Sequence, residues 1–360
     1  MAISISTQVS PLNQSAARKY RLFKAVLAVL LLVCLIAWAV TMSILFDKAY
    51  YDEQLSKFAR TLPLPKWRAE GPSMVYGDLQ ATEEKIPKLI WTYWNDDPDN
   101  IPAFVDDCIN GWRKRLPDYN ITLVTRKTLE SHLGSDTAIP HNFDTFVENE
   151  SSAVAASQSD WIRLALLKEH GGIWMDASTI LTTSNLNFIH EPQERHGTQD
   201  FYFYLSGVSE YLTLPHLESF VIGSVKNSVF IKESYSEFTR IIADHGFSDS
   251  YYRQFSRVEK MALTYSLADA SYLKVYAAFR KVLAIDRANV SIYATPAEGN
   301  PYKITNVNYL FKSGYNTHSL PPLIKLGKGD RDRAIAKSKN NAAIHPDSIY
   351  ARFVKNGGTE

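Results

Sequence analysis

Asp160, Arg163 and Asp176 lie close together in one stretch, SDWIRLALLKEHGGIWMDAS, running from Ser159 to Ser178. Carboxylates and a guanidinium at such spacing can hold hydroxyls, anions or a cation, provided the chain folds them into one place. The pattern predicts how it would. Asp160 and Arg163 are one helical turn apart and share a face with Leu164 and Leu167. Lys168, Glu169 and His170 form a polar exit, and Gly171-Gly172 supply the positive φ that ends a helix. Ile173-Trp174-Met175 then read as a short buried strand that Asp176 leaves at its carboxyl end. Ligands of open α/β sheets bind beyond the carboxyl ends of strands, so the three charged residues are expected at one cleft. The competing reading is structural. An Asp–Arg pair at i,i+3 is often a solvated bridge worth roughly 0.2–0.5 kcal/mol, and an Asp after a strand is often a turn residue or cap.

The elements that would position these residues begin upstream. Ile86-Pro87-Lys88-Leu89-Ile90-Trp91-Thr92-Tyr93-Trp94 reads as a first strand, Val105 to Arg115 as an amphipathic helix, and Tyr119 to Val124 as a second strand. Strand, helix, strand is the opening of an α/β nucleotide-binding unit. An aromatic-rich run from Phe201 to Val208 reads as another strand, and 224–245 and 252–284 as mostly helical, their Tyr and Phe serving the core. Beyond Pro296 the pattern becomes loops and short strands, and Lys325 to Lys339 reads as a charged, solvated stretch.

The Ser159–Ser178 segment resembles the sugar-binding, DXD-motif region of glycosyltransferase family 32, and more closely that of the capsular polysaccharide synthesis proteins. The large clostridial toxin glucosyltransferases share its layout. The resemblance extends to the IPK…W opening strand and covers about residues 85–245. It implies a GT-A-type nucleotide-diphospho-sugar transferase fold, a mixed sheet flanked by helices. It also implies transfer of a hexose from a UDP- or GDP-sugar to a glycan or glycolipid, with retention of configuration. By resemblance Trp94 stacks on the base, with Trp91 a neighbour; the alternative is that both are core residues, which is the preferred reading for Trp91. The resemblance makes Asp160, Arg163 and Asp176 the catalytic residues. Asp160 and Arg163 bind donor hydroxyls, Arg163 being also the leading cation for the diphosphate. Asp176 holds the metal or the ribose-sugar edge, and Ser178 is a donor contact that closes the motif. Glu218, in Leu217–Gly223, is a further donor contact, with a helix-start carboxylate as the alternative. A divalent metal, Mn²⁺ foremost, is implied on Asp176. Where the family motif has a second carboxylate this chain has Ser178, a weak neutral ligand for a hard cation, in the Asp-Ala-Ser form of capsular-type members. Asp176 would need help, for which His345 is the candidate.

Residues 25–46 carry no charge over 22 positions, enough for a helix to cross a hydrocarbon core of roughly 30 Å. Arg18, Lys19, Arg21 and Lys24 precede the run, and Asp47, Asp52 and Glu53 follow it. That asymmetry predicts a cytoplasmic tail (1–24), a signal-anchor helix (25–46), a stem (47–84) and a catalytic domain across the membrane (85–360). Sequons at Asn120, Asn149 and Asn289 lie beyond the span. A nucleotide-sugar donor is supplied inside the Golgi but not in a bacterial periplasm. The expectation is therefore a type II Golgi membrane protein, with the bacterial inner membrane second.

Other classes fit less well. Formal net charge is +1 and falls below zero without the N-terminal cations, which argues against a nucleic-acid surface. Two cysteines, Cys34 inside the apolar run and Cys108, give neither an intrachain staple nor a thiolate zinc site. Dinucleotide, phosphate-loop, HExxH and GxSxG motifs are absent. A two-carboxylate glycoside hydrolase and a non-catalytic, membrane-tethered carbohydrate-binding protein remain as alternatives.

Overall fold

The structure, a computed structural model, describes residues 26–43 except 28, positions 50, 53 and 57, and most of 68–355. Within 68–355 the description omits 71, 78–81, 96–97, 145–151, 206–215, 246–248, 266, 268–269, 271–272, 287, 305, 316–318 and 340–343. Two units are distinguished, Met1–Lys57 and Phe58–Glu360.

In the first unit, residues 26, 27 and 29–43 are helical, and Leu30, Leu35 and Trp38 are exposed. Among the described residues no helix is long and apolar enough to cross a membrane. Positions 25, 28 and 44–46 of the expected span over 25–46 lie outside the described residues.

The second unit is a mixed α/β fold. Ten strands are described: β1 (Arg68–Glu70), β2 (Ser73–Tyr76), β3 (Leu89–Tyr93), β4 (Asn120–Val124), β5 (Gly172–Met175), β6 (Ile180–Leu181), β7 (Asp200–Leu205), β8 (His216–Ser224), β9 (Ile292–Pro296) and β10 (Leu323–Ile324). Eight of them form one sheet in the order β1-β2-β9-β7-β8-β5-β3-β4, while β6 and β10 make a separate antiparallel ribbon. β3 lies parallel to both β4 and β5, and β8 runs antiparallel between β5 and β7. The helices are α1 (Ala103–Arg115), α2 (Ser152–His170), α3 (Asn187–His196), α4 (Val229–His245), α5 (Arg257–Thr264), α6 (Lys274–Arg280), α7 (Asn308–Phe311) and α8 (Lys328–Ser338).

Central strands covered on both faces must be apolar throughout, and β5 and β8 are buried at every position. α1 presents Phe104, Cys108 and Trp112 to a core shared with Met175, Phe203 and Phe220. α2 packs on β3, β5 and α4. The double glycine behaves as its sequence requires. Gly171 and Gly172 have φ of 65° and 99°, and a Cβ on Gly172 would stand 2.7 Å from the Leu89 carbonyl oxygen. The chain therefore turns from α2 straight into β5, and Asp176 emerges beside Trp94 because β3 and β5 run the same way.

Three expectations need correction. The stem assigned to 47–84 contains β1 and β2, which extend the main sheet through β9 and bury Val75 and Tyr76. Nearby prolines suggested a spacer, yet four residues suffice for an edge strand. Glu218 starts no helix; it lies within β8. The charged stretch from Lys325 to Lys339 is largely the helix α8, whose Ala334 and Ser338 are buried.

Candidate active site

A cleft of about 480 Å³ opens where β3 and β5 end, within the size range of small-molecule sites. It gathers Trp94, Asp160, Arg163, Asp176, Ser178 and Glu218, the donor-site residues expected from the sequence. Trp91 does not join them. It is buried, donates from Nε1 to the Gly171 carbonyl at 3.0 Å and packs against His170, so it is a core residue.

Arg163 organises the floor. Its side chain is 4% exposed, and Nη1 lies 2.7 Å from Asp160 Oδ1. Nη1 also donates to the Ser219 carbonyl at 2.8 Å, and Nη2 donates to Asp176 Oδ1 at 3.2 Å. The guanidinium sits 5.0 Å over the Trp174 ring. This is a buried bridge between two carboxylates, unlike the solvated helix pair of the structural reading. It also changes the expected role of Arg163, whose terminal nitrogens are committed to protein partners. Arg163 shapes the site more than it meets a ligand.

Asp176 is held from both sides. Trp174 Nε1 donates to Oδ1 at 3.0 Å, and Lys325 Nζ donates to Oδ2 at 2.6 Å. Burial alone would raise its pKa, but the Lys325 and Arg163 charges outweigh that and hold it below the ordinary carboxylate value. Burial wins at Asp160, which is pushed up to about 6 despite Arg163. Burial also raises Glu218 to about 7, although Tyr302 OH donates to its Oε2 at 3.0 Å. Behind Glu218, Arg280 Nη2 donates to His216 Nδ1 at 2.8 Å, because a guanidinium cannot accept. Burial and the Arg280 charge depress His216 to about 3, so the ring is neutral. Its proton then sits on Nε2, 3.8 Å from Glu218 Oε1.

Lys325, Lys328, Arg331, Tyr276 and Tyr302 also line the cleft and were not singled out from the sequence. Lys325 arrives through the ribbon. Ile324 of β10 pairs with Ile180 of β6, which places the next residue beside the turn that carries Asp176. Trp112 fixes that turn by donating from Nε1 to the Thr179 carbonyl at 2.9 Å. Arg331, on the first turn of α8, stands 5.9 Å over the Trp94 ring. A two-residue strand paired across about 140 positions leaves no periodic trace; the only signal was the cation density of 325–339.

These residues do not fit a divalent metal. Both Asp176 oxygens already accept from cationic side chains, and Ser178 offers a neutral hydroxyl. Among the described residues no group of three or more His, Cys, Asp or Glu could hold a metal ion. His345 is 47% exposed and does not line the cleft, and its Nδ1 accepts from the Asp347 amide. The expected pairing of His345 with Asp176 is therefore not formed. Of the sequons, Asn120 and Asn289 are exposed, and Asn149 lies outside the described residues.

The mixed sheet has its cleft at the strand ends, as in α/β ligand-binding folds, and the family match makes the chain a transferase of the glycosyltransferase type. The chain belongs to the capsular polysaccharide synthesis protein family, whose family model matches residues 72–295. The O-glycosyltransferase braB of Annulohypoxylon truncatum is 32% identical over 99 residues, covering 26% of this chain and 23% of that protein. The match thus spans less than a quarter of that relative's length. Among solved structures, PaToxG glycosyltransferase matches at 15% identity with a TM-score of 0.34, covering 66% of this chain and 78% of that one.

Proposed function

We propose that this chain transfers a hexose from a UDP- or GDP-sugar to a hydroxyl of a glycan or glycolipid, with retention of configuration, on a GT-A-type fold. The observation that carries the reading is the Asp160–Arg163–Asp176 network, with Asp160 and Arg163 buried and Asp176 half-buried, lining one cleft with the half-buried Trp94 at the carboxyl ends of β3 and β5. Trp94 offers an aromatic face on which a base gains about 1–3 kcal/mol by stacking. Asp160 and Ser178 line the cleft as acceptors and donors for sugar hydroxyls. As the anomeric carbon–oxygen bond breaks, both electrons pass to the departing diphosphate, and fixed positive charge in the cleft stabilises them without reorganisation.

Glu218 and Asp176 give the hydrolase alternative one supporting observation. Their environments push the two carboxyls apart, Glu218 up to about 7 and Asp176 down, the pattern of an acid and its partner. The base platform at Trp94 and the cations along α8 serve no purpose in a simple hydrolase, and they favour the transferase. Turnover of a nucleotide-sugar panel by the purified full chain, set beside aryl glycosides, separates the two. The expected result is release of nucleoside diphosphate from one or a few donors and no aryl glycoside cleavage. Asp176→Asn should lower that rate by about 10²–10³. Aryl glycoside cleavage without nucleotide-sugar turnover would replace this reading by the hydrolase.

Membrane anchoring through 25–46, with the catalytic unit in the Golgi lumen, belongs to the same proposal. Its support is the uncharged run behind four cations and the exposure of Leu30, Leu35 and Trp38 on helical backbone.

A further inference from the structure

We propose that Lys325 takes the place of a metal ion in this chain, so that it binds and activates its nucleoside diphosphate sugar without a divalent cation. The inference rests on the nucleotide-sugar reading above and adds the means of handling the leaving group.

Lys325 Nζ stands 2.6 Å from Asp176 Oδ2, on the carboxylate where the motif would bind a cation. The lysine is placed and not merely nearby. Its backbone N–H donates to the Pro301 carbonyl at 2.9 Å, and its neighbour Ile324 is paired with Ile180. The side chain is 15% exposed, and Nζ lies 5.6 Å over the Phe220 ring. An ammonium has three donors, so the bond to Asp176 leaves capacity for a phosphate oxygen in the same cleft. Lys328 and Arg331 line that cleft from the first turn of α8 and add to the positive field. A divalent ion, by contrast, would have to displace Lys325 from Asp176 with only the neutral Ser178 to replace the motif's second carboxylate. The missing acid and the added lysine point the same way. One less negative charge and one more positive charge leave the site's electrostatics complete without a metal.

In the step this serves, the bond between the anomeric carbon and the β-phosphate oxygen breaks with its electron pair going to that oxygen. The acceptor hydroxyl oxygen forms the new bond to carbon, and its proton leaves with the diphosphate. Lys325 and its neighbours meet the negative charge that collects on the leaving oxygens.

The test is calorimetric binding of UDP and GDP to the full chain after chelator treatment, with and without added Mn²⁺, alongside donor turnover in the same samples. One of the two nucleotides should bind with affinities that agree within about 2-fold in the two conditions, and turnover should survive chelation. Lys325→Ala should weaken that binding by about 10- to 100-fold, the range of a charged hydrogen bond, while circular dichroism shows the fold retained. Lys325→Arg, which keeps the charge, should restore most of the affinity. A melting-temperature loss without any change in nucleotide affinity would make the lysine purely structural and overturn the proposal. Binding that requires Mn²⁺ and is indifferent to Lys325→Ala would overturn it and leave the transferase reading standing. Failure of both nucleotides to bind under every condition would remove the nucleotide-sugar reading itself, and this inference with it.

Discussion

Arg163 decides the electrostatics of the cleft because it is buried between two acids. Removing one partner of a buried ionic network leaves uncompensated charge and costs about 3–5 kcal/mol, whereas an exposed helix pair is worth roughly 0.2–0.5 kcal/mol. Arg163→Met should therefore destabilise the chain by about 3–5 kcal/mol in urea denaturation. A loss under about 1 kcal/mol would mean that Asp160 and Arg163 form a solvated pair after all. Exchanging the two charges carries the same lesson. An acid at position 163 would face Asp176 and the Ser219 carbonyl, so the swap should cost stability as well as donor binding. At this scale the sequence was informative where function was written locally. Asp160 and Arg163 share one face of the periodic helix α2, Trp94, Asp176 and Ser178 follow the ends of β3 and β5, and all reach the cleft. Lys325 and Arg331 were not legible, since their placement depends on a remote ribbon. His345 rested on the family resemblance alone, in which a C-terminal His or acid returns to the metal, and no local pattern marked it.

Among the elements, β7 carries the plainest buried titratable group outside the cleft. Asp200 opens that strand fully buried, accepting from Ser224 Oγ at 2.6 Å and Ser228 Oγ at 3.0 Å. Burial raises its pKa from 3.8 to about 7, more than the two hydroxyls lower it. The folded state thus keeps this proton up to about pH 7 while an unfolded chain loses it near pH 4. Between those values the folded state binds more protons, so this group's contribution to stability falls as pH rises. Asp160 and Glu218 are raised as well and act with the same sign. Asp200→Asn keeps an acceptor and carries no charge, so its urea midpoint should fall less steeply than wild type across that window. An unchanged slope would show that Asp200 does not titrate there. Element types were readable where periodicity or glycine chemistry was strong, as at α1, α2 and β5. The edge hairpin of β1 and β2 and the ribbon of β6 and β10 were not, because two to four residues are too few to show a period.

At the scale of the whole molecule, the proposal that residues 25–46 anchor the chain predicts which side of a membrane the catalytic unit would face. The proposal rests on charge asymmetry: four cations before residues 25–46, no acid among the first 24 residues, and acids after the run. Basic flanks stay cytoplasmic, which sends the remainder across. Protease added to sealed microsomes carrying the full chain should then trim the N-terminal tail and spare residues 58–360, which become sensitive once detergent opens the vesicles. Asn120 and Asn289 are both exposed, so glycan on either, removable by an endoglycosidase and lost in the matching Asn→Gln variants, would place the same unit in the lumen. A second arm tests the anchor itself. Replacing Leu31 and Leu35 with Arg puts two charges near the middle of the run, each costing roughly 2.5–3.5 kcal/mol at the centre of a membrane helix. If the run anchors the chain, this variant should be released by carbonate extraction while the wild type stays with the membrane. Release of both proteins alike would remove the anchor from the proposal. Protease digestion of the large unit in intact vesicles would reverse its orientation and, with it, the argument that the donor reaches this site from the Golgi lumen.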